Sequence, residues 1–164
     1  MKRLIILRGP AGSGKSSVSR SIRELVGKDT ACILDLDITH PQEIKFNQNL
    51  EECLRYRTVV GEMFYGNSHT TNPDKWLGKF RNHDYRILSV ILYANKELCF
   101  ERCNSDPGRP SINKQRDRIY KYHDDVYRRE NENPFHKAAN VEEIKIETAN
   151  ISQVEIAKDI LKRF

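Results

Sequence analysis

Gly9-Pro10-Ala11-Gly12-Ser13-Gly14-Lys15-Ser16 matches the pattern G-x-x-x-x-G-K-[ST] at every position. On its N-terminal side, Arg3-Leu4-Ile5-Ile6-Leu7-Arg8 is a short apolar run of the kind that forms a strand buried on both faces of a parallel sheet. On its C-terminal side, Val18, Ile22, Leu25 and Val26 recur at helical spacing and stop at Gly27, a residue suited to ending a helix. The order is strand, glycine-rich loop, helix. Glycines let successive backbone N–H groups converge on an anion, and the start of the helix adds its positive dipole. The pocket suits a chain of phosphates, with Gly9, Ala11, Gly12, Ser13, Gly14, Lys15, Ser16 and Ser17 as nucleotide-binding residues. Lys15 would reach the β- and γ-phosphates, and the Ser16 hydroxyl would ligate Mg2+.

Beyond this motif the chain keeps alternating. Residues 31–36 read as a second buried strand that runs out in Asp35-Leu36-Asp37, residues 44–57 as a helix, and residues 58–60 as the start of a third strand. Asn72-Pro73 opens another helix, capped by Thr71 or Asn72, with Trp76, Leu77 and Phe80 on one side. Residues 86–93 are the clearest strand, and residues 95–103 the helix after it. Asp106-Pro107-Gly108-Arg109-Pro110 interrupts that helix with a loop too rich in proline for regular structure. A basic helix over about residues 113–130 follows, then a polar break at 131–134 and a short strand at 143–147. The last helix spans residues 152–164, with Val154, Ile156, Ile160 and Leu161 apolar. Strands alternating with helices imply parallel crossovers. The expectation is an α/β three-layer fold: a mainly parallel five-stranded sheet, helices on both faces, and a small lid at about 105–120.

At 164 residues the chain has the size of one domain, residues 1–164. Hydrophobic residues at 38% and charged residues at 31% supply a core and exclude a disordered chain. The longest apolar runs, residues 4–7 and 90–92, are far too short to cross a bilayer, and Arg8 closes the first too early for a signal peptide. A cytoplasmic protein without a membrane partner is expected. Cys32, Cys53, Cys99 and Cys103 form no C-x-x-C pair and read as buried thiols. Cys99 and Cys103 share a helical face, but no further ligand completes a metal site. The net charge of +5 suits a polyanionic partner without requiring one.

Phosphate-binding loops serve many activities, so the reaction must be read elsewhere. Asn95-Lys96-Glu97-Leu98 approaches the guanine-reading N-K-x-D, but Leu98 stands where the aspartate belongs, and no D-x-x-G occurs. ATP is therefore the expected nucleotide. No strand ends in the apolar run plus Asp-Glu of motor and transporter ATPases. A carboxylate at the end of the second strand would face the crevice where open α/β sheets bind ligands. Asp35 and Asp37 point the same way by alternation, and Asp37 lies farther out, where an acceptor hydroxyl could approach.

The N-terminal glycine-rich loop, the aspartate ending strand two, the basic lid and the ending Ile144-Lys145-Ile146-Glu147-Thr148 resemble small P-loop kinases. The chain looks most like the polynucleotide 5′-kinase, zeta-toxin and chloramphenicol-phosphotransferase branch. The resemblance implies an ATP- and Mg2+-dependent phosphotransferase whose base is Asp37, with Asp35 as its rival. It places Arg102 against the nucleotide. The family's second arginine, four residues on, is here Asp106, which leaves Arg109 or Arg116 to supply the missing charge. Glu62 matches an acceptor-positioning carboxylate at the end of strand three, and Tyr65 and His69 follow as acceptor contacts in the polar stretch before Asn72. Thr148-Ala149-Asn150 stands where related kinases wrap backbone around the adenine, which makes Asn150 a nucleotide contact. The acceptor is expected to be a nucleic-acid 5′-hydroxyl end, or alternatively a small molecule such as a nucleoside, sugar nucleotide, antibiotic or metabolite.

Overall fold

Residues 4–7 are wholly buried because their strand, β1 (Lys2–Arg8), lies at the centre of the sheet. The structure, a computed structural model, describes residues 1–37, 43–64 and 73–164, apart from the side chains of Glu43 and Lys75. Along the chain β1 is followed by α1 (Lys15–Val26), β2 (Ala31–Asp35), α2 (Glu43–Cys53), β3 (Thr58–Met63) and α3 (Pro73–Asn82). Then come β4 (Tyr85–Tyr93), α4 (Lys96–Ser105), a 3-10 turn (Ser111–Lys114), α5 (Arg116–Glu132), α6 (Phe135–Ala139), β5 (Glu142–Glu147) and α7 (Gln153–Leu161). The strands form one sheet in the order β2-β3-β1-β4-β5, and every pairing is parallel. This is the expected α/β three-layer architecture.

Alternation along β1 divides the core. Leu4 and Ile6 face Leu50, Trp76, Leu77, Phe80 and Phe135 from α2, α3 and α6. Ile5 and Leu7 face Val18 and Ile22 of α1 and Ile156 and Ile160 of α7. With apolar layers on both faces, the strand ends are where a ligand crevice can open. Among the described residues no helix is long and apolar enough to cross a membrane.

The structure corrects several expectations. Helix α2 stops at Cys53 rather than residue 57, because the Tyr85 hydroxyl donates to the turn that follows, 3.2 Å from Leu54 O and 2.5 Å from Tyr56 O. Helix α5 begins after the 3-10 turn and runs on to Glu132, so the break expected at 131–134 is confined to residues 133 and 134. Leu25 and Val154 lie on outer helix faces, exposed by 43% and 44%, while the inward stripes use Ile22, Ile156, Ala157 and Ile160. The caps expected at Thr71 or Asn72 lie outside the described residues.

Two cysteines are not thiols. Cys32 on β2 and Cys53 at the end of α2 form a disulfide, since α2 folds back over the edge strand and brings the two Cα atoms to 5.6 Å. Cys99 and Cys103 are the buried free thiols, and burial pushes Cys99 up to about 11. A second polar feature lies under the sheet. The buried Arg8 guanidinium pairs with Glu130 of α5 and, at 2.7 Å, with Glu143 of β5, and stacks 4.6 Å above the Phe135 ring. Glu130, His136 and Glu143 bring their ligand atoms within 4.8 Å of one another, but Arg8 already pairs with both carboxylates.

Candidate active site

The loop after β1 turns on three glycines with positive φ: Gly9 at 140°, Gly12 at 79° and Gly14 at 103°. Two of them also permit close packing. A Cβ on Gly9 would meet Leu92 O at 2.6 Å, and one on Gly12 would collide with the Cys99 backbone of α4. Gly14 is the N-cap of α1, so the first amides of that helix open toward the loop. The Lys15 ammonium donates to Gly9 O at 2.7 Å and Pro10 O at 3.0 Å, and the Phe64 ring lies 5.2 Å away. Desolvation by these surroundings pushes Lys15 below the ordinary lysine value, against the pull of Asp37 and Glu62.

Beside Lys15 and Ser16 lie the ends of β2 and β3, of which Phe64 lines the cleft. Asp35 Oδ1 accepts the Asp37 N–H at 2.9 Å, an Asx turn that carries the chain off the sheet. Asp37 Oδ1 accepts the Phe64 N–H at 2.7 Å, which ties the two strand ends together beside Lys15. Glu62 is bound to α1: its Oε2 accepts from Ser16 Oγ at 2.7 Å and its Oε1 from Ser19 Oγ at 2.5 Å. Both carboxylate oxygens are therefore engaged, one of them at the hydroxyl expected to hold the metal. Tyr65 and His69 lie outside the described residues.

A cleft of about 640 Å³ runs from this point along α4 and α7, lined by Lys15, Ser16, Ser17, Arg20, Phe64, Arg102, Cys103, Asp106, Arg109 and Gln153 among others. Arg102 is oriented by three acceptors. Its Nη1 donates to Thr148 Oγ1 at 2.8 Å and Gly12 O at 3.3 Å, and its Nη2 to Thr148 O at 2.7 Å. Thr148 in turn donates to Ser13 O at 3.1 Å, so α4, the loop and the end of β5 are joined by hydrogen bonds into one floor. Arg109 reaches the cleft, with Nε 4.0 Å from the Asp106 carboxylate. Arg116 does not. It stacks on Phe100 at 4.6 Å and leans toward Tyr120, outside the lining. Asn150 is exposed, and Gln153 lines the cleft in its place.

Ser19, Arg20, Phe64 and Gln153 were not legible as site residues. Ser19 and Arg20 do follow the motif at i+3 and i+4 from Ser16, a spacing that marks the same helix face. The described residues fit a magnesium nucleotide: converging amides, a lysine held over the loop, and a hydroxyl backed by a carboxylate.

No family model matches the chain, and no curated protein matches its sequence. Solved structures match its fold. A shikimate kinase from Acinetobacter baumannii in complex with shikimate is 21% identical, with a TM-score of 0.55 over 99% of this chain and 93% of that chain. A gluconokinase from Sinorhizobium meliloti is 16% identical, with a TM-score of 0.53 over 98% and 90%. The tunicamycin resistance protein of Deinococcus radiodurans is 13% identical, with a TM-score of 0.58 over 99% and 95%. These likenesses establish the P-loop kinase fold. They do not carry the finer resemblance to the polynucleotide 5′-kinase, zeta-toxin and chloramphenicol-phosphotransferase branch.

Proposed function

We propose that this chain is an ATP- and Mg2+-dependent phosphotransferase that phosphorylates a hydroxyl of a small molecule. One observation carries the reading: Phe64 joins the Lys15 cradle to the Asp37 carboxylate, its ring 5.2 Å from the Lys15 ammonium and its backbone N–H donating to Asp37 at 2.7 Å. A γ-phosphate in the cradle would then stand between the loop and a base able to take the acceptor's proton. When bound, Mg2+ supplies charge neutralisation on the phosphate oxygens; Ser16 would hold it, with Glu62 behind. This assigns Glu62 to the metal side rather than to acceptor binding. Arg109 is the lid cation, and Arg102 supports the nucleotide floor. Asp35 holds the Asp37 backbone.

A small acceptor is favoured over a nucleic-acid end by the state of the basic helix. On α5 Arg128 pairs with Asp125 and Glu132, and Asp124 of the same helix pairs with Lys96 of α4, so the helix carries carboxylates that offset part of its charge toward a phosphate backbone. That the fold is shared with a shikimate kinase and a gluconokinase supports the same choice. The test is a screen with γ-labelled ATP over sugars, sugar acids, cyclic polyols, nucleosides and 5′-hydroxyl oligonucleotides. Label is expected on a small hydroxyl compound, with transfer reduced about 10²- to 10⁴-fold in Asp37→Asn while nucleotide binding persists. Label found only in water, or only on oligonucleotide ends, overturns the proposal.

A further inference from the structure

We infer that Ser19 is a positioning residue for the metal site, holding the Glu62 carboxylate in the orientation that readies the Ser16 hydroxyl for a divalent cation. The inference rests on the reading of Ser16 as a metal ligand. Ser19 lies one turn beyond Ser16 on α1 and is wholly buried between that helix and β3. A serine within a helix ordinarily satisfies its hydroxyl on the carbonyl three or four residues back. Such a partner exists here, Ser16 O at 3.2 Å, yet the shorter contact is Glu62 Oε1 at 2.5 Å. The hydroxyl has one proton, and a carboxylate is the stronger acceptor.

The consequence falls on Ser16. A hydroxyl that ligates a cation must present a lone pair, so its proton has to be directed elsewhere. Ser16 Oγ directs it to Glu62 Oε2 at 2.7 Å. Glutamate turns about three side-chain bonds, and a single hydrogen bond would leave the plane of its carboxylate free to swing. With Ser16 on one oxygen and Ser19 on the other, the carboxylate bridges one turn of α1 and its plane is set. Partners that orient a ligand in this way typically affect metal affinity strongly when removed. Ser19 touches neither nucleotide nor acceptor, since it lines no part of the cleft.

The experiment titrates Mg2+ against the binding of a nonhydrolysable ATP analogue and reads the Mg2+ concentration at half-maximal enhancement, with metal-free affinity as internal control. Ser19→Ala is expected to raise that concentration about tenfold and to leave metal-free affinity unchanged. Glu62→Gln should do at least as much. Adding Ser19→Ala to Glu62→Gln should shift the value less than twofold further, because the serine acts through the carboxylate. Ser19→Thr and Ser19→Val have the same shape and differ in the hydroxyl, so Thr should respond to Mg2+ as wild type and Val as Ala. Wild-type Mg2+ dependence in Ser19→Ala and Ser19→Val, full additivity with Glu62→Gln, or an equal loss of metal-free affinity would each overturn the assignment. A wild-type protein whose analogue binding ignores Mg2+ would remove the reading of Ser16 itself, and the role of Ser19 with it.

Discussion

Lys15 donates to the carbonyls of its own loop and is covered by the Phe64 ring, so its charge is maintained against desolvation by Asp37 and Glu62. That balance has a measurable sign. Burial lowers its proton affinity in the free protein, whereas phosphates beside it favour the ammonium and raise it. Between the two values nucleotide binding takes up a proton, and affinity falls by about one log unit per pH unit as pH rises. A pH series of analogue binding should turn down at a pH below the ordinary lysine value of 10.5. Lys15→Arg should remain flat through that range. A downturn retained in Lys15→Arg would assign it to another group. The aspartates show how far residue chemistry can be read without coordinates: that Asp35 and Asp37 end a strand beside the loop was legible from alternation. That Asp37 accepts the Phe64 N–H, and that Glu62 turns to α1, depends on neighbouring strand ends that no local spacing encodes.

At the scale of elements, the β1–loop–α1 unit was readable because one continuous stretch changes period at a glycine-rich turn. Helix α6 was not. Its five residues follow Pro134, complete little more than one turn, and owe their place to Phe135, wholly buried under the sheet beside Arg8. The Cys32–Cys53 bridge was hidden for a related reason: its cysteines are 21 residues apart and meet only once α2 lies back on β2. The bridge closes the segment that carries Asp35 and Asp37. Replacing both cysteines by serine should lower stability by about 3 kcal/mol, the loop entropy of a closure of this length. Denaturant unfolding measures this, and Mg2+-analogue affinity should match wild type because neither cysteine lines the cleft. Equal stability of the two proteins, with wild-type chain showing both thiols free to alkylation, would contradict the bridge.

For the whole molecule, the parallel sheet separates stability from chemistry. Its two faces are closed by apolar side chains of α2, α3 and α6 on one side and α1 and α7 on the other. The polar groups of the site gather at one end of the sheet, where the ends of β1, β2 and β3 meet the start of α1 and the loop after α4. The same arrangement joins Arg102, Thr148 and Ser13 into a floor that spans the sheet from the loop to β5. The most direct measurement is a crystal structure with Mg2+ and a nonhydrolysable ATP analogue. Its β- and γ-phosphates should be enclosed by the amides of residues 11–17, with Lys15 Nζ moved from the Gly9 and Pro10 carbonyls to phosphate oxygen and the terminal phosphate facing Asp37. A nucleotide bound elsewhere, or a terminal phosphate directed away from Asp37, would contradict the account.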